Sequence, residues 1–217
     1  MGILVQASIG GAGLGNRLFP WARAEVFAHR HGAEMLAPQW LKMKVGPTLR
    51  RETDPRFYTD IIDNSGYVRG PRRLAALALR KRIPGDEAEK LIEAGRGDEL
   101  RGRLVEFRGY SEWFRDDLPH HRALVRRRLE AVTSNLVRRQ IEDCDIPIEI
   151  AIHVRRGDMR VLPFGEEFGQ RRHYAESERY FITVIEQIRA ILGDLPVAVF
   201  NNAAPGELTE IPGLRGV

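Results

Sequence analysis

The sequence predicts an α/β protein in two parallel-sheet halves, and three stretches carry that prediction. Residues 3–9 form an apolar strand followed at once by a glycine-rich turn and a helical pattern. Residues 148–158 form a strand-like run that ends in Arg155, Arg156, Gly157 and Asp158. Beyond it, a helical pattern over about residues 175–192 leads into a second apolar strand at residues 195–200. Strand, loop, helix, strand is the βαβ unit of a parallel sheet, whose crossover is right-handed in nearly all known cases. Two strands and one helix do not cover a sheet on both faces, so the second half is expected to be incomplete, a truncated domain, within these 217 residues.

Composition narrows the class. Hydrophobic residues make up 43% and charged residues 29%, which excludes a disordered or fibrous chain. Cys144 is the only cysteine, so no disulfide forms within the chain, and a reducing compartment is expected. No run approaches the ~18 apolar residues that span a bilayer, and the first nine residues lack a basic leader, so a cytoplasmic location is expected. The net charge is +4, but 34 basic residues nearly balance 30 acidic ones, which argues against a nucleic-acid partner. Almost all the basic residues are arginine; lysine stands only at Lys42, Lys44, Lys81 and Lys90.

In the first half, Asn16 is expected to cap a helix with Pro20 tolerated near its start and Leu18, Phe19, Ala22 and Val26 on one face. The loop before it carries Gly11, Gly13 and Gly15, and a strand, glycine loop and helix together bring backbone N–H groups up to an anion. The spacing is not the dinucleotide fingerprint, because Asn16 stands where its last glycine would be. A dinucleotide enzyme with Glu34 as the ribose acid is therefore disfavoured. Gly32 should stop the helix and residues 34–38 form a second strand. Residues 39–73 are irregular and hold Trp40, Phe57, Tyr58 and Tyr67, which either contact an acceptor or cover a core edge. Short helices are expected at residues 74–82 and 86–94, broken by Pro84 and Gly85, then a strand at 104–108 and a helix over 119–139. On that last helix Arg126, Arg127, Arg128, Arg138 and Arg139 read as a solvated face. His120 and His121 lack the spacing of a helical metal pair. The boundary falls between residues 142 and 147, giving an N-terminal domain over 1–145 and a second over 146–217.

The second half carries the chemistry. Ile148, Ile150, Ile152 and Val154 alternate as a pleated strand requires, and ligands of open α/β sheets bind at the carboxyl ends of strands. Two guanidinium groups there suit a phosphate or carboxylate; the competing reading is a surface turn in which Asp158 pairs with an arginine. For an activated sugar, fixed cations stabilise the charge that builds on a departing diphosphate. Strand alternation puts His153 and Arg155 on one side and leaves Arg156 to hold the loop. The base that takes the acceptor proton is among Asp158, Glu166 and Glu167. Asp158, beside two arginines, should have a lowered pKa, which suits an anchor better than a base. No Asp-x-Asp or histidine cluster suggests a catalytic metal.

These residues resemble a known family. His153-Val154-Arg155-Arg156-Gly157-Asp158 is similar to the H-V-R-R-G-D signature of the alpha-1,2-fucosyltransferases, related to that of the alpha-1,6 enzymes. Gly13-Leu14-Gly15-Asn16-Arg17-Leu18-Phe19 resembles their G-L-G-N-Q-x-F start, and Gly109-Tyr110-Ser111-Glu112-Trp113-Phe114 resembles a G-Y-x-Q-x-x-Y-F segment. Residues 197–202 resemble a strand that usually ends Phe-Ser-Asp. The resemblance implies a GT-B architecture of two Rossmann-like domains. It implies GDP-fucose or a related GDP-sugar as donor and a metal-independent inverting displacement onto a glycan or lipid-linked oligosaccharide acceptor. No cofactor is expected. Arg155 would contact the diphosphate, His153 would lie near the guanine, and Arg156, Gly13, Gly15, Asn16 and Asn202 would complete the donor site. Arg155, Asp158 and Glu166 would serve catalysis. Peripheral association with the inner face of a membrane is compatible with such an acceptor. The sequence departs from the pattern at Ala12, at Arg17 in place of glutamine, and at Asn201-Asn202-Ala203 in place of a serine-aspartate-acid run. The alternative is a catalytically impaired nucleotide- or sugar-binding relative, or a fragment of such an enzyme.

Overall fold

The computed structural model describes residues 2–9, 14–40, 60–109, 118–143, 149–154, 160–161, 174–175 and 177–201. The chain forms two compact units, Met1–Asp143 and Cys144–Val217. In the first, β1 (Leu4–Ser8) leads to α1 (Leu14–His31) and β2 (Glu34–Met35). Then come α2 (Gly70–Leu79), β3 (Lys81–Pro84), α3 (Gly85–Glu93), β4 (Arg103–Arg108), α4 (Arg122–Val132) and α5 (Asn135–Glu142). The four strands form one parallel sheet in the order β2-β1-β4-β3.

Strand alternation sorts the helices onto its two faces. Val5, Ala7, Val105 and Phe107 point to one side, where Trp21 and Phe27 of α1, Ala88 of α3 and Val132 of α4 complete a single core. Leu4 and Leu104 point to the other, and α2 covers them with Ala76 and Leu77. Central strands buried on both faces must be apolar almost throughout, which is how Leu104-Val105 and Leu4-Val5 read.

Several expectations for this unit change. Helix α1 starts at Leu14, so Asn16 lies within its first turn instead of capping it. Pro20 falls inside the helix, where its ring removes one backbone donor. Gly32 ends α1 in the left-handed region, at φ 59°, a conformation glycine adopts without strain. β2 is only two residues long, extended by a parallel bridge from Leu36 to Val68. The helix expected over 74–82 begins earlier and stops at Leu79, because residues 81–84 form β3, paired with β4 from Lys81↔Arg103 to Pro84↔Glu106. Pro84 is tolerated there because β3 is an edge strand. The helix expected over 119–139 is two helices. Ser134 separates them: its hydroxyl donates to the Asp60 carbonyl at 2.5 Å and accepts from the Val137 N–H at 3.4 Å, capping α5.

The second unit contains β5 (Ile150–Val154), β6 (Arg160–Val161), β7 (Tyr174–Ala175), α6 (Glu178–Leu192) and β8 (Val197–Asn201). β5 and β8 are parallel neighbours from Ile150↔Val197 to Val154↔Asn201, and β6 pairs with β7. Phe181, Ile182 and Ile185 of α6 pack on Ile152, Val154, Val197 and Val199. The other face of the pair presents Ala151, His153 and Phe200 to solvent. The protein is thus α/β with parallel sheets in both units, as the strand, loop and helix patterns led one to expect.

Two consequences follow for stability. Gly85 opens α3 against the ring of Phe107, where a Cβ would collide with three ring carbons. Phe107 cannot give way easily: Phe27 lies 5.5 Å from it and the Arg23 guanidinium 4.9 Å from its centroid. Gly85→Ala should therefore lower the unfolding free energy by about 1–3 kcal/mol, seen as a reduced urea midpoint with an unchanged slope. His31 packs at a tilt against Phe27, with ring centroids 4.6 Å apart, and burial, reinforced by Arg30, holds its pKa below the ordinary 6.5. A histidine that stays neutral when folded contributes stability in full above its unfolded pKa and loses it as pH falls toward the folded value. The melting temperature should drop between about pH 7 and pH 5, and the drop should be smaller in His31→Gln.

Candidate functional site

Both motif-bearing loops leave the carboxyl end of the first strand of their unit. In the first, β1 ends at Ser8 and α1 begins at Leu14; Gly13 and the rest of residues 10–13 lie outside the described residues. Gly15 is exposed and Asn16 half-buried in the first turn of α1. A Cβ placed on Gly15 would meet nothing within 4 Å, so this side of the turn is open. The first turn of α1 holds no acidic side chain. Arg17, which stands where the resembled motif has glutamine, is turned inward: it is buried, and its guanidinium donates to the Trp40 carbonyl at 2.5 Å.

In the second unit His153 sits on the solvent face of β5, opposite the face that α6 covers, with Phe200 as its neighbour in register on β8. The two strands end side by side at Val154 and Asn201. The segment after His153-Val154 and the segment after Asn201 therefore leave the sheet from adjacent positions. Arg155, Arg156, Asp158, Glu166, Glu167 and Asn202 lie outside the described residues.

No protein-family model, curated protein or solved structure matches this chain.

Two aromatic residues considered for acceptor contact prove to be core. Trp40 and Tyr67 are both buried in the main cluster of the first unit, while Phe57 and Tyr58 lie outside the described residues. Tyr67 belongs to a polar network that sequence reading missed. The Trp21 indole donates to the Tyr67 hydroxyl at 2.9 Å, which donates in turn to Glu25 Oε1 at 2.6 Å. Arg128 Nε reaches the other Glu25 oxygen at 2.7 Å, so one of the arginines expected on a solvated face joins α4 to α1. Burial first, and the Glu25 carboxylate second, push the Tyr67 pKa far above the ordinary phenol range, so its proton stays in place as a structural donor. The network borders a cavity of about 470 Å³ that also exposes Glu34 and Arg72. Those two form their own fork, with bonds of 2.9 and 2.5 Å, so Glu34 already has a partner.

A second buried acid also went unread. Glu106 projects from β4 at the carboxyl end of the first sheet and is held by Arg108 at 2.6 Å and Arg82 at 3.4 Å. It borders a cavity of about 230 Å³ with Gly85 and Asp86. The available signal was an acid set between apolar strand residues, Val105-Glu106-Phe107, and likewise Glu25 on a helix face with Trp21, Ala22 and Ala28. In both cases the charges are paired, and the arrangement ties elements together. Among the described residues no group of three or more His, Cys, Asp or Glu side chains is placed to hold a metal ion.

Arg128→Ala should lower stability by about 1–3 kcal/mol, since it strips a buried carboxylate of its charged partner. The same change in a Glu25→Gln background should do less, and paired urea titrations of the four proteins measure the difference.

Proposed function

We propose that this protein is a glycosyltransferase of fucosyltransferase type, which moves fucose or a related sugar from a GDP-sugar to a glycan hydroxyl by a metal-independent inverting displacement. The observation that supports this reading is positional. Two parallel α/β units each carry one of the two most specific motifs: one follows β1 in sequence, and the other begins in the last two residues of β5. A GT-B architecture is the arrangement that this reading implies.

In the proposed reaction the acceptor oxygen bonds to the anomeric carbon as the bond from that carbon to the diphosphate oxygen breaks. The departing oxygen keeps the electron pair, and GDP leaves. Arg155 neutralises the diphosphate, which needs a cation fixed in place before the charge appears. His153, exposed on its strand and free to meet a ligand face, lies toward the guanine, with Asn202 beyond it and Arg156 holding the loop. The resemblance also assigns Gly13, Gly15 and Asn16 to donor binding, and the amino end of a helix suits an anion. Glu166 accepts the hydroxyl proton, and Asp158, beside two arginines, anchors the loop.

A second reading, a donor-binding relative without turnover, is favoured by one feature: Asn202 stands where the resembled pattern has an acid. The two readings separate on turnover, because only the first releases GDP from the donor when a glycan acceptor is supplied.

GDP should raise the melting temperature of the full chain and UDP should do so less. Arg155→Ala should weaken GDP binding about 10–100-fold through loss of a charge-assisted contact. His153→Ala should weaken it while leaving the melting temperature without ligand unchanged, as expected of an exposed side chain. A chain that GDP does not stabilise, or whose response ignores Arg155→Ala, overturns both readings.

A further inference from the structure

Helices α4 and α5 are two by structure and one by sequence pattern. On a continuous helix Val125, Leu129, Val132 and Leu136 would fall within an arc of about 60°. No glycine or proline stands between Arg122 and Glu142, and Thr133, Ser134 and Asn135 are weak helix formers that do not forbid a helix. The first three of the apolar row pack on the core of the first unit, whereas Leu136 is 57% exposed. Thr133 (φ −66°, ψ 130°) and Ser134 (φ −64°, ψ 155°) are extended and separate the helices. A conflict of this kind between a local pattern and the fold marks a strained or functional position.

The bonds at the break stand in for those of an unbroken helix. Without the break, the N–H groups of Ser134, Asn135, Leu136 and Val137 would donate to the carbonyls of Glu130, Ala131, Val132 and Thr133. Instead the Arg138 guanidinium donates to Glu130, Ala131 and Thr133 at 2.5, 3.1 and 3.0 Å. The Asp63 N–H takes the Val132 carbonyl at 2.6 Å. The Ser134 N–H turns to the Ile61 carbonyl at 2.8 Å, and the Val137 N–H to the Ser134 hydroxyl at 3.4 Å. Each carbonyl that the break frees thus has a substitute donor, so splitting the helix leaves no acceptor there without a partner. Apolar burial is exchanged as well: Ile62, bridged to Thr133, is buried while Leu136 is turned out.

We propose that the joint between α4 and α5 is a two-state hinge. In one state residues 60–63 dock on it and split the helix. In the other that segment withdraws, and residues 122–142 form one helix with Leu136 in the row of Val125, Leu129 and Val132. Two discrete sets of bonds that replace one another make an element bistable instead of continuously deformable. The split state is the ground state, and the continuous one is a minor population of about 0.1–10%. α5 ends at Glu142, next to the end of the first unit at Asp143, so the joint sets the direction in which the chain leaves that unit. The proposal rests on the first unit alone and not on the transferase reading.

Backbone NMR of the full chain tests it. Relaxation dispersion on the μs–ms scale should appear at the amides of Ile62, Thr133 and Ser134 and vanish in Asn135→Pro. Proline suits the first position of α5, holds the residue before it extended, and cannot lie inside a continuous helix. Ser134→Ala with Arg138→Ala removes the cap and the guanidinium donor while adding good helix formers. The Cα shifts at positions 133 and 134 should then move from extended to helical values, and adding Asn135→Pro should return them. Slow amide exchange in β1 and β4 identifies a folded chain in each case. Three results overturn the proposal: no dispersion at the joint, dispersion that Asn135→Pro leaves unchanged, or a folded double variant whose positions 133 and 134 stay extended or whose α5 turns to coil values.

Discussion

The pairing of β1 with β4 is the constraint on which the first unit depends. These strands are parallel, run in register from Leu4↔Leu104 to Ser8↔Arg108, and are covered on both faces. Parallel neighbours cannot be joined by a hairpin, so every connection must cross the sheet, and each crossing carries a helix. The three connections put α1 and α3 on the Val5 side and α2 on the Leu4 side, and α4, which follows the last strand, adds to the Val5 side. The pairing also limits what each strand may contain: β1 and β4 are apolar at Leu4, Val5, Ala7, Leu104, Val105 and Phe107, and the acid set among them, Glu106, is held by Arg82 and Arg108.

That rule explains which parts of the fold could be read beforehand. β1, α1, β4, β5, α6 and β8 each show a hydrophobic period that matches their structure, because each buries at least one continuous face. β3 could not be read in this way. Arg80-Lys81-Arg82-Ile83-Pro84 offers one buried side chain, Ile83, and its strand state comes from β4 beside it rather than from its own sequence. The break between α4 and α5 escaped for a related reason. Val125, Leu129, Val132 and Leu136 continue one helical period across it, whereas the break depends on Ser134 and Thr133 meeting residues 60–62 from far away in the sequence.

The polar interior was less legible than the apolar one. A charge within an apolar pattern signals that a partner exists without naming it, and the partners lie far along the chain: Arg128 is 103 residues from Glu25, and Tyr67 is 42. Trp40 and Tyr67 illustrate the same point. Aromatics in an irregular stretch can cover a core or contact a sugar, and the choice between them is made by tertiary contacts such as the Arg17 bond to the Trp40 carbonyl. A local run of glycines or arginines, by contrast, needs no distant partner to be noticed in the sequence.

This division between buried and exposed charge bears on where chemistry belongs in the molecule. Glu25 and Glu106 are buried and already hold the hydrogen-bond donors that surround them, so a ligand would have to displace an arginine to use either. Breaking such a buried pair is strongly unfavourable, whereas an exposed side chain meets a ligand by giving up only water. His153 is of the second kind, exposed near the carboxyl end of β5 on the face that α6 leaves open. The two cavities near buried acids are therefore gaps beside structural ion pairs, and neither acid is open to a ligand without the loss of a charge pair.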